Sequence, residues 1–238
     1  MMGPLTCAMM MVTAINTSPG LVERWNDPES DKWKKWRFKG LARLLRWGKK
    51  ATPEMFAPDG SVSIEVIRDK LFKNWTIKKT TVFCLLYCYE CDKGRFRALK
   101  DDKGGLRFFA TNGHSKILWT EARLDPDLVF LSSPPEGLKW AYHGTSFGDI
   151  DDSKELRASI EKNGLCTSFK ADHLKGESRI HCHAALEISN ARKGCRLLYR
   201  IDLKKLTEMR IPWWVSCGRV RYVLAESFPP ECLDLMTQ

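Results

Sequence analysis

Lys139-Trp-Ala-Tyr-His-Gly-Thr-Ser146 is the stretch on which the reading of this 238-residue chain turns. Trp140, Ala141 and Tyr142 make an apolar, strand-like approach that stops at His143-Gly144-Thr145, a polar tripeptide with a glycine at its centre. Glycine has no Cβ, so the backbone there can approach a ligand and bond it through its own N–H and C=O groups. Threonine adds a short donor and acceptor, and histidine can bind a sugar hydroxyl or polarise an amide. Taken alone, the tripeptide also fits an ordinary strand running into a turn.

Working outward, the second half reads as strands with short helices. Leu128–Leu131 is strand-like, and Pro134-Pro135 with Gly137 punctuates the approach to the opening stretch. Residues 151–162 have helical character and stop at Asn163-Gly164. A polar, irregular piece leads into Ser178-Arg-Ile-His-Cys-His-Ala184, where Arg179, His181 and His183 alternate as a strand does and would share one face. Residues 196–202 and 220–224 read as strands that bracket Ile211-Pro-Trp-Trp214. This is the pattern of an α+β lobe.

The first half is set apart by charge. Of the net +10, residues 1–111 carry +9, with 21 Lys and Arg against 12 acids; residues 112–238 carry +1, with 18 against 17. Between Lys32 and Lys50 stand nine basic residues and no acid, interleaved with Trp33, Trp36, Phe38 and Trp47. Phe38, Leu41, Leu44 and Leu45 recur at helical spacing, predicting an amphipathic helix with a basic outer face that ends at Gly48. A merely soluble helix would mix signs, so the absence of acids points to a polyanionic partner such as RNA or DNA. A short helix follows over 62–72, then an apolar segment over 81–90 that reads as helix. Strands at 95–100 and 106–111 come next, joined by the turn-rich Asp101-Asp-Lys-Gly-Gly105. Three helices and a hairpin is the order of a winged-helix lobe. Residues 14–31 are polar and turn-rich and read as a linker or loosely attached extension, after a methionine-rich start without the basic residues of a signal peptide.

Composition excludes several classes. With 43% hydrophobic and 29% charged residues and no apolar run of spanning length, the chain has the profile of a globular protein without a membrane span. Its nine cysteines are odd in number and scattered, as expected of thiols rather than a disulfide framework. Cys88-Tyr-Glu-Cys91 has zinc-ligand spacing and His181-Cys-His183 could complete a set. No second Cys-x-x-Cys follows, however, and packing cysteines with no metal are the expectation.

Several short motifs stand in a fixed order: Leu44-Leu-Arg-Trp-Gly48, Asp92-Lys-Gly-Arg-Phe96, Ala110-Thr-Asn-Gly-His-Ser115, His143-Gly-Thr145, Asn163-Gly-Leu165, Arg179-Ile-His-Cys-His183 and Ile211-Pro-Trp-Trp214. Together they resemble the NAD-dependent RNA 2′-phosphotransferase family over about residues 36–235. The resemblance implies an α+β protein with a disordered extension over 1–35, a winged-helix-like RNA lobe over 36–111 and an ADP-ribosyltransferase-like lobe over 112–238. It implies NAD⁺ as a consumed co-substrate and RNA with an internal 2′-phosphate, of the kind left at a tRNA splice junction, as partner. It further implies a monomer in cytoplasm or nucleus. By motif, Arg46, Trp47, Arg95 and Arg179 correspond to the family's Arg-His-Arg-Arg phosphate set, with tryptophan in place of the histidine. His143, Gly144 and Thr145 would hold the nicotinamide-ribose end of NAD⁺, and His114 and Ser115 would line the cleft near NAD⁺ and phosphate.

Three departures stand out: Trp47, an apparent insertion around 166–178, and Cys217-Gly-Arg-Val220, which only loosely follows the family's Asn-Gly-Val element. Trp47 favours a rival reading, an RNA-binding protein with a decayed transferase site, since indole donates one hydrogen bond and cannot titrate. ADP-ribosylation of terminal phosphates of nucleic acids is a side activity of some relatives. Losing a charged donor at phosphorus is worth about 2.7–4 kcal/mol, a hundred- to a thousand-fold in rate. Attack on NAD⁺ needs mainly alignment and should survive, whereas breakdown of the RNA-phospho-ADP-ribose intermediate should slow. On a gel of labelled 2′-phosphorylated RNA the intermediate should accumulate as a slower band, and Trp47→His should clear it faster. Dephosphorylated RNA with no intermediate at early times would show that Trp47 is no handicap.

Overall fold

The computed structural model describes residues 19–47, 51–90, 94–130, 136–145, 150–167, 179–191 and 194–236, without the side chains of Pro28, Trp47, Ile117 and 150–152. Expectations for the start of the chain before residue 19, for Leu131, for Cys91 and for most of the apparent insertion lie outside these residues. The chain divides into two compact units at Val129/Phe130.

The first unit is helical with a small sheet: α1 Pro19–Asn26, α2 Asp31–Trp47, β1 Val62–Ser63, α3 Ile64–Leu71, α4 Ile77–Glu90, β2 Phe96–Lys100, β3 Leu106–Ala110, α5 Lys116–Glu121 and α6 Pro126–Phe130, whose last residue opens the second unit. The helical spacing read for the basic run is present: Leu41, Leu44 and Leu45 are fully buried, while Lys32, Lys35, Lys39 and Arg43 are exposed. Phe38 of the same helix stacks on Tyr87 of α4 at 4.0 Å and lies 5.8 Å from its Phe83; in α4, Val82, Phe83, Cys84, Leu85 and Leu86 are all buried, as in a helix apolar on every side. That helix begins at Ile77, earlier than its apolar run suggests, because the Thr76 hydroxyl accepts from the Lys79 amide at 3.2 Å and caps it. Strands β1, β3 and β2 form an antiparallel sheet in that order. The Asp101 carboxylate closes the β2–β3 turn by accepting from the amides of Lys103 and Gly105 at 3.0 and 2.7 Å.

Two expectations need correction here. Over 19–31 the segment read as a loose extension is helical and packed. Leu21 and Trp25 are buried, the Trp25 ring lies 5.5 Å from Phe38 and 5.4 Å from Phe83, and its indole N–H donates to Glu90. Pro19 starts this helix, a position where its fixed φ and missing donor cost nothing. Leu128, Val129 and Phe130, read as strand, lie in α6. Asp125 caps it by accepting from the Asp127 amide at 2.9 Å, and Pro126 again takes the first position.

The second unit is built on a six-stranded antiparallel sheet of order β11-β7-β4-β6-β9-β8. Its strands are β4 Trp140–Thr145, β6 Cys182–Ala185, β7 Leu197–Asp202, β8 Trp213–Val215, β9 Tyr222–Ala225 and β11 Leu233–Met236. Between β4 and β6 come α7 Ile150–Asn163 and β5 Leu165–Cys166, which pairs with β10 Ser227–Phe228. One helix, α8 Leu203–Glu208, follows β7. Gly164 ends α7 at φ +74°, and a Cβ there would collide with the Phe228 carbonyl, so the close β5–β10 pairing requires glycine. Ala141, Ile160, Tyr199, Ile201, Leu206, Val223 and Phe228 form the core beneath the sheet. Cys84, Cys182, Cys195 and Cys232 are buried thiols, and burial pushes Cys182 up to about 12, so these four act as apolar packing groups.

Candidate functional site

In the first unit the turn that follows β3 anchors two of the expected arginines. Arg95 stands just before β2, exposed, and its carbonyl accepts from the Thr111 amide at 2.9 Å. Arg46 lies in the last turn of α2; its Nη2 donates to Asn112 Oδ1 at 2.9 Å and its guanidinium sits 5.1 Å over the Phe96 ring. Gly113, at φ +81°, lets the backbone pass against that guanidinium. A Cβ there would stand 3.4 Å from Arg46 Cζ and Nε, tighter than ordinary contact. The Ser115 amide donates to the Arg46 carbonyl at 2.8 Å. Five consecutive residues thus fix the backbones on which both arginines stand.

His114 and Ser115 are 1% and 0% exposed, which places them behind this surface. The Ser115 hydroxyl accepts from the Leu118 amide at 3.2 Å and caps α5, and the His114 ring lies 6.0 Å from Trp119 and near Gly60. Asn112 and Phe96 are the contributors that sequence reasoning did not single out, although both lie inside quoted motifs. Trp47 ends α2, and its side chain is outside the described residues.

In the second unit His143, Gly144 and Thr145 form the end of β4. On one side they pair in register with Tyr199, Leu198 and Leu197 of β7. On the other, the β4–β6 ladder is a single register pair, Tyr142↔Ala185, although β6 goes on to pair with β9 as far as Cys182↔Ala225. Where the ladder would continue, His143 Nδ1 donates to the His183 carbonyl at 2.8 Å. A carbonyl only accepts, so Nδ1 carries the proton and Nε2 presents the lone pair. By strand alternation Tyr142, Gly144, His183 and Tyr222 share one face, and the His183 ring lies 5.6 Å from Tyr222 and 6.1 Å from His143. The strand end therefore offers a histidine of fixed tautomer, a glycine without a side chain and flanking aromatic rings.

The expected shared face of Arg179, His181 and His183 is present for the two histidines. His181 packs 5.4 Å from Trp214 and 5.5 Å from Phe130, on the face that also carries Tyr222. Arg179 is exposed and is followed by a bend at Ile180, ahead of the strand. Among the described residues no three His, Cys, Asp or Glu side chains gather as metal ligands. No described helix is long and apolar enough to cross a membrane.

The fold is α+β, a basic helical unit followed by an antiparallel-sheet unit. Residues 37–224 match the model of the RNA 2′-phosphotransferase, Tpt1/KptA family, and the chain belongs to that family of enzymes. No curated protein matches the chain.

His181 gives this site a pH signature. Burial against Phe130 and Trp214 lowers its pKa from 6.5 to about 4, so it is neutral in the folded protein while the unfolded chain takes up a proton as pH falls below 6.5. Stability is therefore full above pH 6.5 and is lost as pH falls toward 4, by about 3 kcal/mol from this group. Urea unfolding midpoints across that range should shift accordingly, and His181→Phe should remove most of this dependence. An unchanged profile in the variant would show that His181 is not held neutral.

Proposed function

We propose that this chain removes an internal RNA 2′-phosphate by transferring it to NAD⁺. The observation that carries the NAD⁺ assignment is the end of β4, where His143 is tied to the His183 carbonyl beside Gly144 just as the β4–β6 ladder stops. A flat carboxamide and a ribose suit such a place, since the backbone edge, the His143 Nε2 lone pair and the Thr145 hydroxyl supply both donors and acceptors. In this reading the helical unit serves as a winged-helix-like RNA lobe and the sheet unit as an ADP-ribosyltransferase-like lobe.

Two steps follow. A 2′-phosphate oxygen attacks C1″ of the nicotinamide ribose; an O–C1″ bond forms, the C1″–N bond breaks and nicotinamide leaves. Positive charge develops on the ribose as the phosphate approaches, so the enzyme's task is alignment. Ribose O2″ then attacks phosphorus, the bond from phosphorus to RNA O2′ breaks, and the O2″ proton ends on the RNA hydroxyl. ADP-ribose 1″,2″-cyclic phosphate departs. Negative charge gathers at phosphorus in this step, and arginine forks stabilise it by paired bonds. Arg46, Arg95 and Arg179 are the residues assigned to that grip, with Trp47 beside Arg46. Asn112 and Phe96 orient Arg46, and His114 and Ser115 support it from behind.

His143→Ala should weaken NAD⁺ binding by about tenfold or more, the worth of a hydrogen bond of roughly 1.4 kcal/mol, and leave affinity for 2′-phosphorylated RNA nearly unchanged. Calorimetry with NAD⁺ and anisotropy with labelled RNA measure the two separately. Equal loss of both would sink the assignment of the two ligands to different units.

A further inference from the structure

We infer that the outer face of α2, with Arg24 and Trp75 beside it, is an accessory site for the single-stranded part of an RNA substrate, a base stacking on Trp36 and the backbone tracking the flanking cations. The inference rests on RNA being the substrate, as proposed above. The family match begins at residue 37, so Arg24, Lys32, Trp33, Lys35 and Trp36 all precede it.

The face is regular. Lys32, Lys35, Lys39 and Arg43 are exposed and recur every three or four residues, with exposed Trp36 next to Lys35, which puts all five along one side of the helix. They span about 16 Å at a rise of 1.5 Å per residue. Four are cations and none is an acid, and none of these four makes an ion pair among the described residues. Trp36 is 69% exposed, the most exposed of the large apolar side chains described, on a helix whose opposite face is fully buried.

Beside it lies a ladder of rings and guanidinium groups. Arg37 stands 4.6 Å from the Trp33 ring centre, 5.7 Å from Trp36 and 5.2 Å from Trp75. Arg24 covers Trp33 at 4.8 Å and Lys79 covers Trp75 at 4.8 Å, while Trp33 and Trp75 stack at 6.2 Å. Arg37 Nε is buried without a hydrogen-bond partner, and neither Arg24 nor Arg37 has a carboxylate counter-ion among the described residues. Burial and the repulsion of Arg24 both lower the Arg37 pKa. Two like charges sharing one tryptophan are an arrangement that an arriving phosphate relieves. Were the rings there only to hold α1 in place, Trp25 would suffice, and Trp36 would not need to stand in solvent among lysines. Alternating cations and rings are the general means by which proteins hold single strands, through stacking and backbone charge together.

The test is anisotropy with the full chain and a fluorescein-labelled, mixed-sequence 15-nucleotide single-stranded RNA, at several salt concentrations. Trp36→Ala should weaken binding about 5- to 140-fold with the salt slope unchanged, and Trp36→Phe should restore most of it. K32Q/K35Q/K39Q should flatten the slope by about 0.7 for each phosphate that is no longer neutralised. A 15-base-pair duplex RNA, whose bases are already stacked, should not respond to Trp36→Ala. Unchanged single-strand binding in Trp36→Ala, or equal loss of strand and duplex, would overturn the inference. So would binding to phosphatidylserine vesicles, in preference to RNA, that Trp36→Ala abolishes; that result would make the face a lipid surface. Nicotinamide release from NAD⁺ with a 2′-phosphorylated trinucleotide, run in parallel, separates the two proposals. No release while strand binding depends on Trp36 removes only the NAD⁺ reading and supports the accessory site; release with Trp36→Ala binding as wild type does the reverse.

Discussion

The turn from Thr111 to Ser115 is the constraint on which the charged surface of the first unit depends. Through main-chain bonds it holds the carbonyls of Arg95 and Arg46, and through Asn112 it aims the Arg46 guanidinium. Each of these bonds is modest, of order 1 kcal/mol net. Their value lies in geometry, because the long Arg46 side chain is set in place by Asn112 and the backbone of Arg95 is fixed by the same turn. Burial of Ser115 and His114 serves the same end: the turn is locked from behind by a helix cap and a packed ring.

The second unit fixes its strand end by a different device. A sheet normally completes its ladders, and a strand pair that shares one register position before giving way to a side-chain bond is a local exception. Such exceptions, where the regular solution is given up, are where function is to be sought. Here the exception falls on the same tripeptide that the sequence marks by its abrupt change from apolar to polar.

Much of the fold was legible because it rests on local pattern. The spacing of Leu41, Leu44 and Leu45, the Asp101–Gly105 turn and the strands around Tyr199 and Val223 each carry their own signal. What was missed has identifiable causes. α1 has only Leu21 and Trp25 to bury, too few for a period, and its proline and glycine read as punctuation. Leu128, Val129 and Phe130 suit strand or helix equally, and Asp125 with Pro126 decides. The site was legible as residue types but not as contacts. Arg46 and Asn112 are 66 positions apart and His143 and His183 are 40 apart, distances over which pattern carries no information.

The central claim is that the phosphate leaves RNA by way of NAD⁺, so that nicotinamide release depends on an internal 2′-phosphate; ADP-ribosylation of terminal phosphates would release nicotinamide without that dependence. The most direct measurement is nicotinamide released from NAD⁺ by the full chain, with an oligoribonucleotide carrying one internal 2′-phosphate and with the same RNA lacking it. The account predicts release that depends on the 2′-phosphate, with no more than one nicotinamide for each phosphate supplied. Tight binding of the phosphorylated RNA with no nicotinamide released would contradict it and leave a binding protein in place of an enzyme.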